Sequence, residues 1–149
     1  MSRRTCAGLA VALALLAWEA PALAQARATL IITVQGVIPP GGILRLGVYD
    51  RAGYETDKET AFADVPATPG TTVVTLRDIP PGEYGVMVYQ DVNSNDRVDS
   101  NFLGIPREPY GFSRNARPFL SKPGFDEVKF TLHAGENRQT LRLQNTGGN

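Results

Sequence analysis

Oxygen-bearing side chains alternate along one short stretch of the chain, DVNSNDRVDSNFLG, which occupies positions 91–104. Ca²⁺ takes about six to eight oxygen ligands, and a loop can supply several of them from alternate residues together with one backbone carbonyl. Counted from the first aspartate, such ligands stand at alternate positions, the fourth of them acting through its carbonyl: Asp91, Asn93, Asn95, Arg97 and Asp99. The spacing therefore predicts a Ca²⁺ site, and no other cofactor is predicted.

Two positions depart from a complete calcium loop of the EF-hand kind. The sixth position is usually a glycine that permits a sharp turn but here is Asp96, and the twelfth should be a bidentate acid but is Phe102. Aspartate tolerates a left-handed backbone better than most residues, so the first departure matters less than the second. Because two of the candidate side chains are neutral amides, a weak site is expected. The alternative is a metal-free array of turns, in which Asp, Asn and Ser bond their own backbone.

The segment from Asp91 to Asp126 carries a second set of candidate residues. It shows no convincing strand, and loops beyond about 12–15 residues are uncommon unless functional or disordered. Its aromatic and aliphatic content predicts an ordered loop over one edge of the fold. Arginine and tyrosine are favoured at recognition surfaces, and the residues predicted to bind a ligand are Arg107, Glu108, Tyr110 and Arg114. Alternatively, Tyr110, Phe112 and Phe125 form a small core of the loop itself.

Catalysis has little support in the sequence. A nucleophile such as Ser113 or Tyr110 needs an adjacent base, and the only histidine, His133, stands at an alternating polar position typical of a strand surface. Two pairs of acids, Asp91 with Asp99 and Glu108 with Asp126, could serve glycoside hydrolysis, but the sequence does not fix their separation. The protein is therefore predicted not to be an enzyme. The alternatives are a hydrolase that uses loop carboxylates and a structural envelope protein without metal.

The elements that must position these residues are β-strands. Apolar and polar residues alternate with a period of two in six segments, and no segment keeps a helical period for three turns. The segments centre on residues 30–34, 44–48, 72–76, 84–88, 128–132 and 141–143. Strands buried on one face require a second sheet, which predicts an all-β, antiparallel immunoglobulin-like or transthyretin-like sandwich of about six to seven strands with one long ordered loop, residues 91–126. A helical turn is expected only within residues 55–64.

The N-terminal residues have the three-part layout of a secretory signal peptide: two arginines, an apolar run over residues 7–18, and small residues up to Ala24. The apolar run is shorter than the ~20 residues of a membrane-spanning helix. Cleavage after Ala24 is predicted, which leaves one domain, residues 25–149, without a cysteine. The expected location is the periplasm or the outside of the cell.

Charge narrows the class of partner. Residues 1–24 contain two of the 15 basic and one of the 15 acidic residues, so 13 basic face 14 acidic residues in the remainder. A near-neutral chain without a basic run lacks the electrostatic footprint of a nucleic-acid binder. The predicted partner is a protein or glycan of the cell envelope.

Two stretches resemble known families. The shorter, DIPPGEYGVMV (residues 78–88), is similar to a turn and strand of transthyretin-like and carboxypeptidase-regulatory-like domains. The longer, GEYGVMVYQDVNSNDRVDSNFLGIPREPYGFSRNARPFLSKPGFDEVKF (residues 82–130), resembles the bacterial family known as domain of unknown function 2141. Gln90, Asp96 and Arg114 stand where that family often has His, Gly and Asn. The resemblance implies an exported β-sandwich and brings no established activity.

Overall fold

The computed structural model describes residues 26–102, 106–119 and 121–145. The predicted signal peptide, residues 1–24, and its cleavage point lie outside them. The described residues form eight strands: β1 (Ala28–Val37), β2 (Ile43–Tyr49), β3 (Ala61–Pro66), β4 (Gly70–Ile79), β5 (Gly82–Asp91), β6 (Tyr110–Phe112), β7 (Phe130–Leu132) and β8 (Gly135–Arg142). They also form two short α-helices, α1 (Arg51–Thr56) and α2 (Phe125–Val128), and one 3₁₀ turn, Ser113–Asn115. No helix among them is long and apolar enough to cross a membrane.

The strands lie in two sheets, which confirms the predicted all-β sandwich. One sheet has the order β4-β1-β8, and the other has the order β3-β2-β5-β6 with β7 also paired to β5. The described pairs are antiparallel except β1 with β8, which run parallel over residues 28–35. The parallel pair was not predicted, because a period of two gives the buried face of a strand but not its direction.

The main core lies between the two sheets. Inward positions alternate along β1, where Leu30, Ile32 and Val34 are fully buried, and they face buried residues of the second sheet such as Leu44 and Val86. Truncation of one such residue to alanine costs about 2–5 kcal/mol. The alternation read from the sequence therefore identifies the side chains that hold the sandwich together.

Two local elements differ from the prediction. The helical turn expected within residues 55–64 begins earlier, because the side chain of Asp50 accepts a hydrogen bond from the backbone N–H of Gly53 at 2.7 Å and so caps α1. Strand β3 follows and was not predicted. Its inward residues include the small Ala63, whereas its large Phe62 is 70 % exposed, so the usual strand pattern is inverted.

The long segment after β5 is ordered by a core that it shares with the sandwich. Phe112 and Phe125 are buried against Tyr49, Tyr54 and Val128. The hydroxyl of Tyr54 donates to the backbone carbonyl of Pro123 at 2.8 Å, which fastens the segment to α1. The structure thus supports the alternative reading of Phe112 and Phe125 as core residues, and it also contains β6 and α2, which the sequence pattern did not predict.

Candidate functional site

Asp91 ends β5, and its side chain is 0 % exposed. Oδ1 accepts a hydrogen bond from the backbone N–H of Asn95 at 3.0 Å, and Oδ2 accepts one from the backbone N–H of Asp96 at 2.9 Å. The Nε of Arg45 also donates to Oδ2, at 3.0 Å. Burial raises the pKa of Asp91, but the hydrogen bonds from Asp96, Arg45 and Asn95 outweigh it and hold the pKa below its usual value. The carboxylate is therefore charged and fully engaged.

The remaining side chains of the loop bond mostly to one another. The amides of Asn93 and Asn95 donate to the two carboxylate oxygens of Asp99 at 2.7 and 2.9 Å, which lowers the pKa of Asp99. The side-chain oxygen of Asn95 accepts from the backbone N–H of Arg97 at 3.1 Å, as in an Asx turn. Asp96 has the left-handed φ of 65° that a glycine would otherwise supply at this position.

Arg45 of β2 supplies the positive charge at this acidic corner. Its guanidinium donates to Asp91, to Asp64 at 2.7 Å, and to Asp96. Arg45 lies directly opposite Asp64 in the register of β2 with β3. The hydrogen bond to Asp91 and the charges of Asp64 and Asp96 raise the pKa of Arg45. A sequence reading missed Arg45 because it lies 46 positions before its buried partner.

The geometry of the loop favours the metal-free array of turns over a Ca²⁺ site. Both oxygens of Asp91 are engaged, and a second cation beside them would meet the guanidinium of Arg45 at short range. Within the part of the chain that the structure describes, no group of three or more His, Cys, Asp or Glu side chains is placed to hold a metal ion. Ca²⁺ binding stays a prediction, and the geometry favours the metal-free alternative.

Glu108 has a similar internal role. The side chain is 5 % exposed; its Oε1 accepts from the backbone N–H of Val92 at 2.8 Å and its Oε2 from that of Asp99 at 3.1 Å. The carboxylate therefore joins the two ends of the Asp91–Asp99 loop, and its binding of a ligand stays a prediction. Arg107 and Arg114 are exposed, and neither lines the groove described next, whereas Tyr110 does.

A groove with a volume of about 1050 Å³ runs over the outer face of the β3-β2-β5-β6 sheet. Its floor follows from strand alternation: Leu44 and Val48 point into the core, so Arg45, Gly47 and Tyr49 lie on the opposite face. Residues of the long segment, including Val98, Pro106 and Pro118, lie at its wall. The Asp91–Asp99 loop and the groove are therefore adjacent.

Strand register arranges the floor side chains in rows. Arg45 pairs with Asp64 on one side and Tyr89 on the other, and Tyr89 in turn pairs with Tyr110. The neighbouring row, placed by the same pairings, consists of Phe62, Gly47, Met87 and Phe112. At Gly47 an added Cβ would lie 2.6 Å from a ring carbon of Tyr49, so the absence of a side chain there gives that ring its place. Sequence reasoning found Tyr110 but not Tyr89 or Phe62, because alternation does not reveal register.

Side chains considered for catalysis have structural partners. The buried hydroxyl of Ser113 accepts from the backbone N–H of Val86 at 2.9 Å and donates to the carbonyl of Val128 at 2.5 Å. Asp126 pairs with Arg51 at 2.6 Å and with Lys129 at 3.2 Å, and these partners lower its pKa to about 2. These contacts give the hydrolase alternative no support, and the absence of enzymatic activity stays a prediction.

The comparison with known proteins agrees with the longer resemblance. A family described as "Uncharacterized protein conserved in bacteria (DUF2141)" matches residues 32–140. The chain belongs to this family. The matched residues extend from β1 into β8, so they include the Asp91–Asp99 loop and the groove floor. No curated protein and no solved structure matched the chain, and the weaker similarity to transthyretin-like domains is not confirmed.

Proposed function

We propose that this member of the DUF2141 family is an exported, non-enzymatic binding module that takes an envelope protein or glycan in the groove over the outer face of its β3-β2-β5-β6 sheet. The observation that carries the proposal is the groove itself, a concave surface of about 1050 Å³ with aromatic side chains in register across its floor. Binding sites are typically concave and mostly apolar, with a few polar groups that orient the ligand.

The neighbouring loop supports the proposal by giving the groove a fixed wall. Asp91 and Glu108 each accept two backbone N–H groups, so the loop is tied to the end of β5. Arg45 belongs to both regions, because it lines the groove and donates to Asp91. A wall held in this way needs little reorganisation when a ligand binds, which favours affinity.

Export is part of the proposal and has its own test. The N-terminal layout is that of a secretory signal peptide. Expression of the full chain in a bacterium with two membranes should yield a periplasmic or secreted product. Its intact mass should be that of a chain that begins at Gln25. A full-length product that remains in the cytoplasm contradicts export.

Capture from the native envelope tests the groove. The wild-type protein, immobilised on a resin, should retain an envelope component that a double variant, Phe62→Asp with Tyr89→Ala, does not retain. Val73→Asp is the matched control, because Val73 is 60 % exposed on β4, in the other sheet. Retention that is equal in the wild type and the double variant, or equally lost in the control, contradicts the proposal.

A further inference from the structure

We propose that the groove takes a neutral oligosaccharide, whose sugar rings stack on Tyr89 and Tyr110. This inference rests on the proposed function and narrows its ligand to one chemical class. Three features of the groove carry it: the two tyrosines, the complete backbone pairing of the central strands β2 and β5, and the pairing of the charged side chains around the rim.

Tyr89 and Tyr110 are the floor residues that we assign to ligand binding. They are directly paired on β5 and β6, where neighbouring strands lie about 4.7–4.9 Å apart. Both side chains are half-buried, which raises the pKa of each hydroxyl, and Tyr110 packs edge-on against Phe112 with the ring centroids 6.0 Å apart. Neither hydroxyl has a hydrogen-bond partner among the described residues, and none of the buried side-chain polar atoms there lacks one. Both tyrosines line the groove.

A sugar ring matches this pair of side chains. Its apolar C–H face can lie against an aromatic ring, while the hydroxyl groups at its edge can bond a phenol oxygen that acts as both donor and acceptor. The hydroxyl of Tyr49, in contrast, already donates to Glu59 at 3.2 Å. The sites for stacking combined with hydrogen bonding are thus Tyr89 and Tyr110.

The middle of the floor does not suit a peptide that binds by strand addition. That mode needs a sheet edge with unpaired backbone groups. In the groove, β2 is paired on both sides, with β3 and β5, and β5 is paired with β2 and β6, whereas β3 is the edge strand. Over β2 and β5 the ligand must therefore be held by side chains.

The charges around the groove disfavour an anionic ligand. The described residues that line it include two cations and three carboxylates: Arg45, Lys122, Asp57, Glu59 and Asp64. Arg45 is bonded to three carboxylates, and Lys122 donates to Asp57 at 2.8 Å and to the carbonyl of Tyr54 at 2.7 Å. Each lining cation is therefore committed to an internal partner. A phosphate, sulfate or uronate group would meet a net negative surface.

The size of the groove favours several sugar units over a single metabolite. Its volume of about 1050 Å³ is just above the ~300–1,000 Å³ typical of small-molecule sites. The rows of side chains also cross several strands, so a chain of sugars can contact more than one row. An oligosaccharide is thus a better match than a monosaccharide.

Calorimetric titration with four neutral hexasaccharides, built from glucose, mannose, galactose or N-acetylglucosamine, tests the inference on the exported protein. The wild type should bind at least one of them, and a sulfated hexasaccharide should not bind. Tyr89→Ala and Tyr110→Ala should each weaken binding about tenfold, because each removes a stacking surface and a hydrogen bond. Tyr89→Phe keeps the ring and should lose less, and Val73→Ala should bind as the wild type does. Circular dichroism of every variant checks that the fold is retained.

Two results of the titration overturn the inference. One is the absence of binding to all four neutral sugars at millimolar concentration, and the other is unchanged affinity in both alanine variants. If the groove-dependent component captured from the envelope is a protein without glycan, the proposed function stands and this inference fails. If capture does not depend on the groove, both the proposed function and this inference fail.

Discussion

The Asp91–Asp99 loop and the groove lie side by side and share Arg45, but they use their polar groups in opposite ways. In the loop, Asp91 and Asp99 accept hydrogen bonds from neighbouring amides on both carboxylate oxygens. In the groove, the hydroxyls of Tyr89 and Tyr110 have no partner within the described residues. The loop is rich in potential metal ligands, but its carboxylates are bonded internally. The floor of the groove, in contrast, keeps two hydroxyls without an internal partner among the described residues.

The difference has a general cause. A buried carboxylate must find donors, because an unpaired charge in the interior costs far more than one in water. Asp91 is buried at the C-terminal end of β5. Backbone N–H groups of the loop and the side chain of Arg45 from β2 therefore donate hydrogen bonds to it. Phenol hydroxyls at the surface are under no such demand, since water satisfies them until a ligand arrives. Oxygen-rich spacing alone consequently does not distinguish a metal site from a self-bonded turn.

Among the substitutions, Asp91→Ala should have the largest effect on stability, and it acts on the loop. The change removes the acceptor of two part-buried backbone N–H groups and of the Nε of Arg45, and we expect unfolding to become easier by about 3 kcal/mol. Urea unfolding followed by circular dichroism measures the loss. Asp126→Ala is the control, because its ion pair with Arg51 is exposed and its removal should cost much less. Equal losses in the two variants would show that the loop is an ordinary surface turn.

Glu108→Gln tests the second buried carboxylate that holds the loop. The amide retains one acceptor for the two backbone N–H groups of the loop, so we expect a loss of about 2 kcal/mol in unfolding free energy. Ligand capture by the folded fraction should be unchanged, because the side chain is buried away from the groove lining. Capture that disappears while stability is retained would instead make Glu108 a ligand-contacting residue, as the sequence first suggested.

Calcium addition tests whether the loop binds Ca²⁺ or is satisfied by its internal hydrogen bonds. We expect the melting temperature of the wild type to be the same in ~10 mM CaCl₂ as in EDTA, because Arg45 already neutralises Asp91. A site with a dissociation constant of about 1 mM would add about 1.4 kcal/mol under these conditions and raise the melting temperature. Such a rise, abolished by Asp91→Asn, would restore the Ca²⁺ site and reverse the comparison.

Phe62→Asp should have the smallest effect on stability and tests the groove side. Phe62 is 70 % exposed on β3, so its replacement should change the unfolding free energy by less than about 0.5 kcal/mol. Ligand capture should nevertheless fall, because Phe62 lies in the row next to Arg45 and Tyr89 on the groove floor. Stability that falls as far as in Asp91→Ala would make Phe62 a structural residue instead.

Several features could be predicted because they depend on neighbouring residues only. The buried faces of β1 and β4 follow the alternation of their sequences, and the left-handed backbone at Asp96 occurs where aspartate replaced the usual glycine. Strand β3 was missed because its large aromatic residue faces outward. Part of α2 was read as strand because Val128 continues an alternating pattern, although Glu127 caps the helix through the backbone N–H of Gly124 at 2.7 Å.

The sequence alone determined the sandwich class, the family, and the position of an oxygen-rich loop at the end of a core strand, since these depend on local pattern. Tertiary structure decided what the loop and the groove present. Arg45 reaches Asp91 only because β2 and β5 pair in one register, and Tyr89 meets Tyr110 only through the pairing of β5 with β6. Register is set by the packing of the whole sheet, so residues far apart in the chain become partners in ways that spacing does not reveal.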